Sequence, residues 1–599
     1  THPEGTVSLH DDRAAQESAN QAAAVDELRA INRRLFPIWQ SSYQDDKATW
    51  SVDNLKTALV GDVNTLAGLA LAAVALVWLI ACANASNLLI ARVTSRRQEL
   101  AVRAALGASR GRVVRYLLAE SALLTSGAML LGAAIAWAGI RLLQGVGSTC
   151  FPRTQEITVD GPVLGLVTAL AVMSAAVFGL VPAMHGTGGS VDTALRSLGR
   201  TTTGGVGVRR LRRVLVGVQF AIATPLLIVA GLLLASLNEL KRVDLGFDTQ
   251  HLVTASVRLA PALYPDPGSV ASFWNELRHR VEALPAVEAL AFADGRPPRD
   301  VADFNNFDLE QYPTRPGQSQ PVTPWLAVTP EYFTVLGLSL IDGRLLDEQD
   351  AQRQDFGPVI VDRAWARRFF SNESAVGKRF RSGGCTTCPW NVVVGVVSEV
   401  KYAGLDQPDQ GTVYRPLAGG TFRYLVIRAK ADEAALVPSI RQTVRELDPN
   451  APLSQVATID DLVAQSIERP QSLSVLVSSL AAVALLLSII GIYGVMGYYV
   501  QQHLKDIRIR IALGGSSADV LRLVLGHGMT VVVAGVLAGV LASLALTRLM
   551  QSLLFQVNAA NAFTFAAVSL SMVVVALLAC LLPAARALRL QPAAILRNE

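Results

Sequence analysis

The chain is poor in charge. Asp, Glu, Lys and Arg make up only 17% of its 599 residues, apolar residues make up 51%, and the mean hydropathy is +0.37. A soluble domain usually carries about a quarter charged residues, so this composition excludes an ordinary soluble enzyme. The seven His are scattered and form no H-E-x-x-H pair, which removes that zinc hydrolase signature. A P-loop is also missing. The Gly-Lys at Gly377-Lys378 is followed by Arg379 and has Asn372 at the first glycine position, so no backbone cradle for phosphates is expected there. Gly107-Ala108-Ser109-Arg110-Gly111 matches G-x-S-x-G, but it lies on a basic loop rather than at a strand–helix elbow. No catalytic residue, metal site or cofactor is expected.

What the chain does have is long uncharged runs. No Asp, Glu, Lys or Arg occurs in 66–91, 121–140, 161–191, 214–238, 470–504, 523–547 or 549–585. About 20 apolar residues cross a bilayer as helix, so each run predicts one span, about seven in all. Buried helices of a large soluble core would be shorter and carry a polar face. The fold class is therefore an α-helical polytopic membrane protein, and the 239–469 stretch between spans is long enough for a folded domain.

Basic residues sort the connections. Loop 92–120 holds seven Arg and loop 186–213 holds six; segment 505–522 adds four basic residues and 586–599 adds three. With their acids these four segments carry +14 and the remainder −9, which gives the net +5. The pI near 9.0 therefore reports topology and calls for no nucleic-acid partner. Cytoplasmic loops are the basic ones, which places the first residues of this chain outside and its last residues inside.

One basic stretch occurs twice. RRQELAVRAALGAS (96–109) aligns with HLKDIRIRIALGGS (503–516): Glu99 meets Asp506, Val102 meets Ile509, Arg103 meets Arg510, Leu106 meets Leu513 and Gly107 meets Gly514. Further on, Pro182-Ala183 and Leu195-Arg196 answer Pro583-Ala584 and Leu596-Arg597. A repeat this long is no solenoid unit; it reads as a duplicated membrane module with a large insertion. In the first copy Leu100, Arg103, Ala104 and Gly107 share a helical face, and Glu99 with Arg103 makes an i,i+4 pair. Such a segment fits a helix lying on membrane lipid or a docking surface for a soluble partner. Recurrence favours docking, although duplication by descent also produces it.

Local patterns fill in the rest. VDELRAINRRLF (25–36) predicts a helix, within a polar outer segment 1–61 that has no signal-peptide order. Asn84 and Asn87 end the first span; they could bond across helices or mark a polar path, and helix packing is the stronger reading. TTTGGVG centres a flexible linker, 186–213. Pro225 predicts a kink in the span at 214–238. Within the insertion, 273–284 and 436–449 predict helices, 357–370 a strand then a helix, and 390–400 and 422–429 strands. Alternation of the two indicates an α/β or α+β domain.

These residues carry a family resemblance. CANASNLLIARVTSRRQELAVRAALGASRGRVVRYLLAES (82–121), its echo at 503–525, VTPEYFTVLGLSLIDGRLLDEQD (328–350), AVGKRF (375–380), VVGVVSEVKYAGL (393–405) and RELDPNAPLSQVATIDDLVAQSI (445–467) resemble permeases of the FtsX/MacB class of ABC transporters. The duplicated, two-module permeases are the most similar. The resemblance implies a large α+β extracytoplasmic domain over 239–469 and FtsX-like three-helix blocks at 62–185 and 470–599. The helix at 214–238 opens the second module, and the linker 186–213 joins the two. The first module would have lost its opening span, with 1–61 the remnant of its outer domain. It implies a bacterial inner-membrane subunit that couples a separate cytoplasmic ATPase to movement of the outer domains, with a periplasmic adaptor as a further partner. A non-transporting scaffold or envelope regulator of the same fold is the alternative. A secondary transporter would want ionisable residues within its spans, and these runs hold none.

The resemblance further implies ATPase-coupling faces at Glu99, Arg103, Leu106, Gly107 and Ala108, and at Asp506, Arg510, Leu513 and Gly514. The second copy departs from the family pattern, with Asp506 for Glu, Arg508 for Gly and Gly515 for Ala, which weakens equal coupling in both halves. Cys385 and Cys388 form a C-x-x-C followed by Pro389 and a strand. Two ligands do not complete a zinc site, and a redox pair is expected at a helix start. A disulfide is favoured over a reduced pair or a redox or metal role. Cys82, Cys150 and Cys580 lie in or near spans and are read as inert.

Overall fold

The computed structural model describes residues 21–39, 63–95, 99, 109–146, 161–186, 206–298, 300–301, 303–314, 320–351, 357–371, 373–383, 385, 387–402, 404–407, 410–416, 422–431, 433–503, 509, 516–550 and 554–589. Chain contacts divide it into two units, 1–63 with 242–467 and 64–241 with 468–599. In chain order the long helices are α1 (Gln21–Trp39), α2 (Val63–Ser95), α3 (Arg110–Val146), α4 (Gly161–Gly186), α5 (Val206–Lys241) and α6 (Pro267–Glu282). The shorter α7 (Arg363–Phe369) and α8 (Glu433–Leu447) are followed by α9 (Ile459–Gln502), α10 (Ser517–Leu549) and α11 (Ala562–Arg589).

Helices are the regular structure of the described residues in the membrane unit. Six helices among the described residues are long and apolar enough to cross a bilayer: Ala67–Ile90, Val114–Arg141, Arg210–Lys241, Ile459–Gln502, Leu521–Arg548 and Ala562–Ala585. The expected span at 161–185 is a helix too, α4, and Val163–Ala176 within it is apolar. The unit's core is drawn from α2, α5, α9, α10 and α11, with Ile80, Phe220, Ala223, Ala481, Ala484, Val532 and Ala576 almost fully buried. Helix α4 is tied to α2 through Ser174, which accepts a 3.1 Å hydrogen bond from Trp78 Nε1. Arg92 near the end of α2 pairs with Glu120 on α3 at 2.9 Å.

Close approach replaces bulk where α10 meets α5. A Cβ on Gly535 would lie 2.5 Å from the Gly217 oxygen, and one on Gly539 would lie 2.6 Å from Thr224 Cβ and 3.0 Å from the Ala221 oxygen. With Ser543, fully buried, these residues form a small-residue stripe at four-residue spacing. Small residues let helix backbones meet in lipid, where apolar burial gives no driving force between helices. Pro225 adds a second reason. It has no N–H for the Ala221 carbonyl, and Gly539 is the residue that α10 sets against that oxygen. Helix α5 continues through Pro225 from Val206 to Lys241.

Helix α5 also begins inside the expected linker 186–213. Arg209, Arg210, Arg212 and Arg213 therefore sit on helix, and Arg212 is buried among the helices at 4% exposure. Sequence reading left it in a solvated loop, whereas it lies in the helical packing just ahead of the charge-free run 214–238.

The other unit holds an α+β domain built on one sheet: β1 (Leu252–Val257), β2 (Val287–Ala293), β3 (Asp303–Leu309), β4 (Val322–Val328), β5 (Leu340–Gly343), β6 (Pro358–Asp362), β7 (Arg379–Ser382), β8 (Asn391–Val397), β9 (Val413–Pro416), β10 (Tyr424–Ala429) and β11 (Leu453–Thr458). Strands run in the order β11-β1-β10-β2-β4-β3-β7-β8-β6-β9, with β5 on β8 and a further β4–β9 pairing. The first four are antiparallel neighbours, and α6 and α8 pack on them through Phe273, Trp274, Leu277 and Ile440. The remaining strands close a ring, β4-β3-β7-β8-β6-β9, which is completed by the parallel β4–β9 pair. Trp365 fills this part with Phe307, Trp325 and Phe380.

Caps explain where the domain's helices start. Asp266 accepts from Ser269 N at 2.9 Å, and Pro267 occupies the first turn of α6, so this helix begins before the expected 273. Asp362 accepts from Trp365 N at 2.8 Å and from Thr412 N at 2.9 Å. It therefore caps α7 and ties it to the start of β9. Gly411, at φ +79, brings its backbone against Trp365, where a Cβ would lie 2.5 Å from the tryptophan Cα. The Sγ atoms of Cys385 and Cys388 lie at bonding distance, with Cα atoms 5.6 Å apart.

Candidate coupling segments and the buried polar cluster

Each candidate coupling segment joins two membrane helices, and the joints repeat. Helix α2 ends at Ser95 and α9 at Gln502; α3 begins at Arg110 and α10 at Ser517, which is the same separation along the chain. Later in the module the copies fall slightly out of step, because α4 begins at Gly161 and α11 at Ala562, a shorter separation. The duplication read from short motifs thus extends to the helix ends themselves.

Of the named coupling residues, Glu99 is described: it is helical and exposed. Arg103, Leu106, Gly107, Ala108, Asp506, Arg510, Leu513 and Gly514 lie outside the described residues. Ile509, the counterpart of Val102, is 57% exposed.

The two segments end differently. Ser516 caps α10 and forms a reciprocal box with Asp519: Asp519 N donates to Ser516 Oγ at 3.3 Å, and Ser516 N donates to Asp519 Oδ2 at 3.2 Å. The side-chain hydrogen bond from Ser516, joined by the backbone one, holds the Asp519 carboxyl below the usual range. In the first copy Ser109 stands at the same place, and Arg112 donates its backbone N–H to Ser109 O at 2.9 Å. Arginine there has no carboxylate to return, so the box exists in one copy. Ser109 stands just ahead of α3, and 100–108 before it lie outside the described residues.

Within the membrane unit lies a cluster of buried amides. Asn84 Nδ2 donates to Leu487 O on α9 at 2.6 Å, and Gln219 Nε2 on α5 donates to Asn84 Oδ1 at 2.7 Å. Gly491 makes room for both, since a Cβ there would lie 2.3 Å from Asn84 Oδ1 and 2.5 Å from Gln219 Oε1. Three helices are thereby pinned at one depth, which gives Asn84 the helix-packing role. Asn87, one turn on, is also buried, and both of its amide atoms lack a partner. Arg212 joins this group: its guanidinium lies over the Tyr498 ring, 4.0 Å from the centroid. Sequence reading missed Gln219 and Arg212. A lone Gln in a charge-free run was the available sign for the first; the second was hidden among four arginines.

Other motifs resolve into structure. Lys378 pairs with Glu373 and donates to Gln311 Oε1 at 3.0 Å, so the Gly-Lys forms part of a surface turn. Cys82 and Cys580 are free and buried, and Cys150 lies outside the described residues. No group of His, Cys, Asp and Glu able to hold a metal occurs among the described residues.

Comparison with known proteins agrees with the repeat. The FtsX-like permease C-terminal family model matches twice, at 71–191 and 478–592, and the MacB-like periplasmic core domain matches at 226–447. The starts of the two FtsX-like matches are separated just as the helix ends are. The chain is thus an FtsX/MacB-like ABC transporter permease in which the FtsX-like domain occurs twice. Among similar proteins, the macrolide export ATP-binding/permease protein MacB of Acinetobacter baylyi is 26% identical over 294 residues, 45% of this chain and 42% of that protein. The protein of the same name from Agrobacterium fabrum is 30% identical over 236 residues, 37% of this chain and 34% of that protein. The chain spans less than half the length of these curated relatives. The crystal structure of the periplasmic region of MacB from Actinobacillus actinomycetemcomitans covers 37% of this chain and 94% of its own, at 17% identity and a TM-score of 0.26.

Proposed function

We propose that this chain is the inner-membrane permease subunit of an ABC-type complex, and that it couples ATP hydrolysis on a separate cytoplasmic subunit to movement of its α+β domain. In this reading the basic loops face the cytoplasm and the domain faces the periplasm, where an adaptor can meet it. Connectivity is the observation that carries it. Helix α5 leads through residues 242–251 into β1, and β11 passes directly from Thr458 into α9 at Ile459. These two strands are antiparallel neighbours, pairing Val253 with Thr458 and Val257 with Leu453. Displacement of either helix therefore acts on adjacent strands of one hydrogen-bonded ladder. At their other ends the duplicated modules place segments 96–109 and 503–516 between membrane helices, where an ATPase can push on them.

Detergent co-purification from the native host tests the partner, and ATPase stimulation tests the coupling. The double variant Gly107→Glu and Gly514→Glu should lower hydrolysis to the unstimulated rate while the permease still purifies folded. Unchanged stimulation would refute the coupling role. A good yield of folded permease with no co-eluting ATPase would instead favour a scaffold or envelope regulator.

A further inference from the structure

Arg212 carries a permanent charge into the helical packing. It is 4% exposed, and its Nε and Nη2 have no hydrogen-bond partner. Tyr498 covers one face of the guanidinium, and no described carboxylate pairs with it. A guanidinium does not shed its proton, and a buried charge left without a counter-ion is strongly destabilising. Asn87, with both amide atoms unpartnered, faces the same space. Two cavities meet at Arg212. One, of about 20 Å³, is lined by Asn84, Asn87, Leu88, Gly491 and Gly494. The other, of about 50 Å³ and partly open, is lined by Arg213, Val216, Met496, Gln502 and Val531.

We propose that this cleft between α2, α5, α9 and α10 binds an anionic phospholipid, with its phosphate on Arg212 and Asn87 and an acyl chain along Val216, Met496 and Val531. The chemistry is complementary at both ends. Phosphate oxygens accept from a planar guanidinium in the bidentate geometry that Nε and Nη2 leave open. An amide N–H₂ supplies a further donor. The apolar wall of the wider cavity suits a hydrocarbon chain and gives a free inorganic anion nothing to hold. Arg213 and Gln502 sit at the polar rim, and the basic end of α5 is where a span meets the headgroup layer. Bound lipid would fasten α5, which leads to the α+β domain, to α2 and α9.

The test uses the full chain in phosphatidylcholine nanodiscs doped with phosphatidylglycerol, with retained lipid counted by native mass spectrometry. The wild type should retain phosphatidylglycerol in preference to phosphatidylcholine. Arg212→Gln should lower that retention about tenfold, the worth of a charged hydrogen bond. Arg212→Lys should keep part of it, because the charge remains while the fork is lost. Asn87→Leu should weaken it less. Equal retention in an Arg212→Gln chain that melts as the wild type does would overturn the proposal, as would equal retention of phosphatidylcholine. Full displacement of the lipid by millimolar inorganic phosphate would also overturn it, in favour of a soluble anion. Should Arg212→Gln fail to fold, Arg212→Lys and Asn87→Leu decide on the same readout: undiminished retention in both overturns the proposal.

Discussion

The membrane unit and the α+β domain are held together by opposite means. In the domain, bulk does it. Trp365 is fully buried, with ring centroids 5.1 Å from Phe369, 5.3 Å from Phe380 and 5.7 Å from Phe307. In the membrane unit, smallness does it: Gly535, Gly539 and Ser543 let α10 reach the backbone of α5, and amides bond where helices cross. The solvent is the cause. Water drives large apolar side chains together, whereas lipid is as apolar as they are and leaves packing and hydrogen bonds to hold helices. The membrane unit is also uneven. Of α5's most apolar stretch 67% is buried, of α3's 6%, and Leu123, Leu130, Leu131 and Trp137 of α3 face outward.

Mutations should therefore fail in mirror image. Trp365→Ala should destabilise the domain by about 3–5 kcal/mol, seen as a lower melting temperature and faster proteolysis of the full chain. Trp137→Ala, at an exposed site on α3, should change neither. Gly539→Leu should cost about 3 kcal/mol by overpacking α10 against α5, while Gly132→Leu on α3, with nothing within 4 Å of its Cβ position, should fold as the wild type does. A stable Gly539→Leu chain would break the comparison.

Charge sharpens it. Burial pushes the Asp362 carboxyl up to about 7, aided by nearby Glu399 and opposed by the N–H groups of Trp365 and Thr412. Burial likewise raises Asp294 to about 6, against the hydrogen bond from Ala327 N. Their folded pKa values exceed the ordinary 3.8, so the folded domain holds protons that the unfolded chain has released. Stability should fall as pH rises from about 4 to about 7, by about 1.4 kcal/mol per pH unit for each carboxyl that is protonated in the folded chain alone, with the loss complete above that. Asp362→Asn keeps an acceptor for Trp365 N and should flatten the profile; a profile unchanged in that variant would remove Asp362 as its source. The smallest effect belongs to the membrane amides. Asn84→Leu should cost about 1 kcal/mol, read as earlier melting in detergent, and an unaltered melting temperature would deny Asn84 its part in pinning the helices.

Much of the fold was legible in the sequence because lipid writes long, uncharged signals. The charge-free runs became helices, and the strands at 390–400 and 422–429 and the helix at 436–449 formed close to their expected bounds. Helix ends were harder to read. Asp266 and Pro267 start α6 well before its apolar pattern does, and α5 begins among arginines that look like a loop. Cap and charge residues carry weaker local signals than apolar periodicity, and neighbours in space decide between helix and coil. The coupling residues were named from resemblance, and most of them fall outside the described residues.

Composition, periodicity and the repeated motif alone determined a polytopic helical protein with one large α/β or α+β insertion and a repeated membrane module. These are properties of solvent partition and chain period, and both are local. Which amides meet, that Gln219 reaches Asn84, that Gly539 answers the carbonyl freed by Pro225, and that Arg212 lies buried against Tyr498 were decided by tertiary structure. Each depends on residues far apart in the chain, 135 positions in the case of Asn84 and Gln219, and only packing brings such groups within hydrogen-bonding range.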